Sequence, residues 1–327
     1  MALRPTCLIV GLDGIDPDVT VNLMAFYAGC GYAVRVATAP APCELLVIQR
    51  GHHVPGWSCL DARGDVHVYD YVFNGTADYH DAFPRAQRVL VISPSGLTSG
   101  RSTVPRERVV SSPHPVVTAL WAPTRAQLAA PRPYPLVHIG HRKPNPAGDP
   151  WQQEIQQLAG YSACHFWGKG WTDLAGLLPH EHLHGPSSLH EAQGIYRRSH
   201  AALGVMHEFQ RGRTISGRMW QAPLNGCQLY TEALPPGMTL PGVQVVERFT
   251  DLPAPPQPAQ QLANAARHHW DEVTLRLADQ LGLRWRAPGR ASLARLYLTQ
   301  VYLRHLKVAI ERRQAAWRTA PLQRAQA

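Results

Sequence analysis

No apolar run among the 327 residues approaches the ~20 that a membrane-crossing helix needs, and the N-terminus lacks the layout of a secretory signal. The six cysteines, Cys7, Cys30, Cys43, Cys59, Cys164 and Cys227, form no C-x-x-C pair. Scattered thiols in a chain of this length fit a reducing compartment, hence a cytoplasmic protein, in a host's cytoplasm if phage-encoded. Gly11-x-x-Gly14 lacks the third glycine and the downstream acid of a dinucleotide fingerprint. Low-complexity segments are missing too, although Pro253–Pro258 is proline-rich. Acids are scarce at one end: residues 284–327 hold ten Arg or Lys against one acid, Glu311. That segment therefore carries the whole formal charge of +9, and the rest of the chain is neutral. Such concentration points either to an anionic partner (nucleic acid, a membrane surface, another polyanion) or to a solvated helix face.

A hydrophobic share of 45% and nine tryptophans support a compact core, and the length suggests about two domains. Cys7-Leu-Ile-Val-Gly11 reads as a buried first strand. Asp16 and Pro17 suit a helix start, and Val19, Leu23, Phe26 and Tyr27 form a stripe that Gly29-Cys-Gly31 closes. Further strands are expected at Tyr32–Thr38, Cys43–Gln49, Asp65–Val72 and Arg88–Ser93. Alternating strands and helices predict a parallel sheet, with ligands beyond the carboxyl ends of its strands.

Prolines 123, 131, 133 and 135 place a domain boundary near residue 130. A second α/β unit opens with Tyr134–Gly140, followed by the basic loop His141-Arg-Lys-Pro144, a helix over Trp151–Leu158 and a strand over Tyr161–Trp167. Leu189–Val205 is expected to be helical, Val243–Arg248 a strand and Pro258–Leu281 a helix. A long amphipathic helix is expected over 291–317, with Leu293, Leu296, Leu303, Leu306 and Ile310 on one face.

The stretch 211–232 reads as loop, short helix and strand, with Ser216 as N-cap, Gly217 allowing close approach of a ligand, and Asn225-Gly226 stopping the helix. Arg211, Arg213 and Arg218 surround that helix start. The combination suits a phosphate or diphosphate, or else an ordinary surface helix with solvated arginines.

Several stretches together resemble the GT-B glycosyltransferases, especially their CgeB-like, family-1-type branch. Cys43–Gln49 stands where that family has a short apolar strand, and Val137-His-Ile-Gly140 resembles the strand that opens its second domain. Phe166-Trp-Gly-Lys-Gly-Trp171 resembles a glycine- and tryptophan-bearing strand end, and Gly194–Leu203 a helix-and-strand segment. Arg218-Met-Trp-Gln-Ala-Pro-Leu-Asn-Gly226 is similar to R-x-[FW]-E-x-x-A-x-G, with Gln221 in place of the family's ribose-binding glutamate. An amide still hydrogen-bonds a diol, though less strongly than a carboxylate.

The resemblance implies two Rossmann-like domains facing a cleft. Residues 1–130 would form the acceptor side, 131–288 the nucleotide-sugar domain, and 289–327 a helix returning to brace the first. It implies a metal-independent hexosyl or pentosyl transferase whose nucleotide-sugar donor, a UDP-sugar, is a substrate rather than a cofactor. On this basis Gly140, Arg142, Lys143, Gly168, Trp171, Ser216, Gly217, Arg218 and Gln221 would bind the donor. Asp13 or Asp70 would take the acceptor's proton, with His52 and His53 as further options. Arg211, Arg213, Arg304 and Lys307 would hold a polyanionic acceptor, a hydroxylated base in DNA being the leading expectation. Each of these side chains has a plainer reading as a cap, a turn, core packing or a solvated surface. Asp16-Pro-Asp18 is better explained by capping than by metal binding, and His180-Glu-His-Leu-His184 is expected to be an exposed loop. The rival functions are a catalytically silent nucleic-acid-binding protein with this fold, and a transferase acting on a small metabolite or polysaccharide.

Overall fold

The computed structural model divides into two compact units, residues 1–120 with 273–327, and residues 121–272. It describes residues 4–11, 17–36, 42–49, 64–69, 83, 85–93, 105–140, 154, 164–171, 179–187, 189–206, 211–213, 215–255, 269–289 and 295.

In the first unit β1 (Thr6–Gly11), β2 (Ala33–Val36), β3 (Leu45–Gln49), β4 (Asp65–Tyr69), β5 (Arg88–Ser93) and β6 (Val109–Ser111) form one parallel sheet ordered β2-β1-β3-β4-β5-β6. Every residue of β3 is buried, the mark of a strand covered on both faces. Alternation sends Cys7, Ile9, Leu45 and Val47 to one face and Leu8, Val10, Leu46 and Ile48 to the other. Helix α1 (Pro17–Gly29) packs Leu23, Phe26 and Tyr27 on the first face. Pro17 opens the helix as expected. Tyr27 also carries polarity into the core, its hydroxyl lying 2.7 Å from His67 Nδ1 and 2.9 Å from the Tyr69 hydroxyl.

After a one-turn helix α2 (Thr118–Trp121), the second unit holds α3 (Arg125–Leu128) and a second parallel sheet. Its strands are β7 (Tyr134–Ile139), β8 (Cys164–Trp167), β9 (Leu183–His184), β10 (Ser199–Leu203), β11 (Gln228–Thr231) and β12 (Val243–Val245), ordered β12-β11-β10-β7-β8-β9. The segment Leu189–Val205 corrects the expectation of one continuous helix and agrees with the helix-and-strand segment implied by the resemblance: helix α4 (Leu189–Arg197) stops, and β10 begins two residues later. Ala201, Ala202 and Leu203 are buried in a central strand paired on both sides, which overrides a run that could have continued as helix. Helix α5 (Arg218–Leu224) ends at Asn225 and Gly226, the latter at φ 72°, as expected.

Helix α6 (His269–Gln280) buries Trp270, Val273 and Leu277. The rest of the helix expected from Pro258, the helices expected over Trp151–Leu158 (Glu154 apart) and 291–317 (Arg295 apart), and residues 70–72 of the fourth strand lie outside the described residues. No helix among the described residues is long and apolar enough to cross a membrane.

Candidate functional site

In a parallel sheet a crevice opens at the carboxyl ends of two neighbouring strands whose connections run in opposite directions. The second sheet reverses between β7 and β10, since β8 and β9 follow β7 to one side while β11 and β12 follow β10 to the other. Gly140 follows β7, and Gly204-Val205 follows β10. Arg218, the first residue of α5, reaches this point. Its Nη1 donates to the Val205 carbonyl at 3.1 Å. A Cβ at Gly140 would stand 3.1 Å and 3.4 Å from the two terminal guanidinium nitrogens, so glycine leaves the room the cation uses. Among the described residues no carboxylate pairs with Arg218.

Beneath Arg218 lies His138, buried on β7 with its Nδ1 unpartnered among the described residues. Burial and then the Arg218 charge push its pKa down to about 3, so the ring is neutral at pH 7. Trp171 closes the floor: its ring packs 5.2 Å from His138 and 4.6 Å from Phe166, and its Nε1–H donates to the Gly140 carbonyl at 2.7 Å. The face expected to flank a base is thus taken up by the core. Gly168, at φ 143°, gives its N–H to the Gly185 carbonyl.

The start of α5 departs from expectation at Ser216. Gly217 is the N-cap and is itself in a helical conformation, and the buried Ser216 hydroxyl makes no capping bond or any other among the described residues. Gln221 is buried, its amide lying over Gly217, where a Cβ would stand 3.5 Å from Nε2. Arg213 is exposed, whereas Arg211 is drawn to Glu232, Nε to Oε1 at 3.3 Å.

Glu232 is a residue that sequence reasoning missed. It follows β11 and is buried, and its carboxylate accepts the Met206 N–H at 2.7 Å and the Thr231 hydroxyl at 3.3 Å. Burial raises its pKa, while the Met206 N–H and Arg211 oppose the rise. It ties the chain after β10 to the end of β11. The acid following an apolar strand was the available signal, but its partner lies 26 residues away.

Asp13, Asp70, His52, His53, Arg142, Lys143, Arg304 and Lys307 lie outside the described residues. His180–His184 is not an exposed loop but a 3-10 turn (His180–His182) leading into the edge strand β9. The His184 ring stacks on Trp167 at 4.0 Å and 8°, and aromatic stacking plus pairing to β8 gives the segment its order. No group of His, Cys, Asp and Glu among the described residues is placed to hold a metal ion.

Two six-stranded parallel sheets with helices define the α/β class of GT-B architecture. No protein-family model matches the chain, and no curated protein matches its sequence. Among solved structures, HepE of Anabaena in complex with UDP and glucose is similar, with a TM-score of 0.54 at 11% identity over 85% of this chain and 100% of that one. The same protein in complex with UDP gives 0.52 at 10% identity over 85% and 99%. The likeness is one of fold.

Proposed function

We propose that the protein is a glycosyltransferase that moves a sugar from a nucleotide-sugar donor, a UDP-sugar, to a hydroxyl acceptor, and that it falls in the small, CgeB-like branch. The observation that carries this is Arg218, a cation without a carboxylate partner among the described residues, held by Val205 against Gly140 where the second sheet's strand order reverses. HepE, which shares the fold, was solved with UDP.

In this reading the acceptor oxygen attacks the anomeric carbon and the bond from that carbon to the diphosphate oxygen breaks. The electron pair leaves with the nucleoside diphosphate. The negative charge growing on the leaving group is met by Arg218, with Arg142 and Lys143, rather than by a metal ion. The Ser216 hydroxyl, buried and unpartnered, supplies a hydrogen bond at the same end of α5, and Gly217 permits close approach. Gln221 would turn its amide toward the ribose. Asp13 or Asp70 would take the acceptor's proton.

For the acceptor we favour a hydroxylated base in DNA, because the formal charge of +9 resides in residues 284–327. A catalytically silent nucleic-acid-binding protein is the second reading, favoured by the buried Gln221 where a ribose-binding glutamate is expected. Purified protein incubated with UDP-glucose and a duplex bearing hydroxymethylated bases should release UDP, and Arg218→Ala should lower kcat by about 10²–10³-fold. No turnover with any UDP-, GDP- or CMP-sugar and no donor-induced rise in Tm would leave the silent reading in place.

A further inference from the structure

A cavity of about 600 Å³ lies within the second unit, and Arg218 is not among the residues that line it. At one end stand Trp167 and His184, the last residues of β8 and β9, with their rings stacked. At the other stand Arg197 and Arg198, where α4 gives way to β10, and Ala130, ahead of β7. Tyr134 links the two ends, its ring 5.3 Å from that of Trp167 and 5.2 Å from the Arg198 guanidinium. At about 3.3 Å per residue, the six steps along β10 from Arg198 to Gly204 span roughly 20 Å.

Its walls are of two kinds. Trp167, His184 and Ile195 offer flat and apolar surface, and two guanidinium groups oppose one acid, Glu191. Arg198 lies over the Tyr134 ring at 5.2 Å, which fixes its position. Arg197 is half-buried and has no hydrogen-bond or ion-pair partner among the described residues, and burial lowers its pKa. Gly194 sits in the interior of α4 and lines the cavity, and a Cβ there would come within 3.8 Å of Arg197 Nη2. Glycine inside a helix is less favourable than alanine. Its presence at a position facing the cavity keeps open both the volume and access to the guanidinium.

We propose that this cavity is a second binding site, for a small molecule that joins an anionic group to a flat ring, with the anion on Arg197 and the ring against the Trp167–His184 wall. A guanidinium already freed of competing carboxylates forms strong charge-assisted hydrogen bonds. The aromatic wall then selects among anions, because a bare anion leaves it uncovered.

Phenyl phosphate is the simplest probe, with inorganic phosphate and phenol as halves of it. Calorimetric titration of the full chain should show phenyl phosphate binding at least tenfold more tightly than either half. Arg197→Gln should weaken it by about tenfold or more, the loss of one charge-assisted bond, and Gly194→Leu should abolish it by filling the space. Arg218→Ala should leave it unchanged, which keeps this test independent of the proposed donor site. The proposal is overturned by absence of phenyl phosphate binding, by equal binding to Arg197→Gln and Gly194→Leu, or by loss of binding in Arg218→Ala.

Discussion

At the scale of single residues, the second unit depends on charges placed where water is scarce, and the two that matter are resolved differently. Arg218 is held by a carbonyl and has no carboxylate partner among the described residues, whereas Arg211 is drawn to Glu232. Burial raises the Glu232 pKa, and the Met206 N–H and Arg211 Nε, which donate to its carboxylate, oppose that rise. Removing the carboxylate strands the Met206 N–H and takes from Arg211 the partner it is drawn to. We therefore expect Glu232→Ala to destabilise the second unit by about 3 kcal/mol, from the cost of breaking a buried ion pair on one side. Glu232→Gln should cost clearly less, because its amide oxygen still accepts from Met206. Urea unfolding followed by tryptophan fluorescence gives both values, and equal losses would deny the Met206 bond its role.

At the scale of elements, the contact between α1 and β4 sets a pH response. His67 is buried, with Nδ1 on the Tyr27 hydroxyl, and burial lowers its pKa to about 4. An unfolded histidine titrates near 6.5. The unfolded chain thus binds the extra proton first as pH falls, so stability declines from about pH 6.5 and the loss is complete near pH 4. Above pH 6.5 this group contributes no slope. At roughly 1.4 kcal/mol per unit of separation the full effect is about 3 kcal/mol. His67→Gln keeps an acceptor for Tyr27 but cannot be protonated. Its stability should fall less steeply than that of the wild type between pH 6.5 and 4, and parallel curves would refute the assignment.

The elements also differ in how plainly the sequence announces them. The cores of β1, β3 and β5 are unbroken apolar runs bounded by breakers, β4 sets Val66 and Val68 around His67, and each was readable. Three strands were not. β6 and β9 span three and two residues at sheet edges, too short for any period to register. β10 carries Ser-His-Ala-Ala-Leu, composition that a helix accepts equally well, and only its pairing on both sides decides the matter. The site divides the same way. Arg218 belongs to a local motif and could be found, while His138, Glu232 and the Val205 carbonyl become neighbours only through the sheet. Ser216 was misread as the cap because local chemistry favours serine there, yet Gly217 takes the position.

At the scale of the whole molecule, charge is the property that no single unit's fold explains. Of the ten cations in 284–327, Arg284, Arg286 and Arg295 fall among the described residues, and all three are exposed. Exposed arginines in excess of acids cost folding little and act at a distance, so their consequence is association rather than stability. If the partner is duplex DNA, each phosphate they neutralise releases condensed counterions. Six such contacts give a slope of about −5 in log K against log salt, and an affinity roughly 10³-fold weaker at 200 mM than at 50 mM. Replacing Arg304 and Lys307 together by glutamate should weaken binding uniformly across sequences and reduce the slope by about 2, one for each lost contact. The donor-induced rise in Tm should survive that double change, since Arg218 lies in the other unit. A duplex that fails to bind at low salt, or a slope indifferent to the two substitutions, would remove DNA as the acceptor while leaving the transferase reading to stand on Arg218 alone.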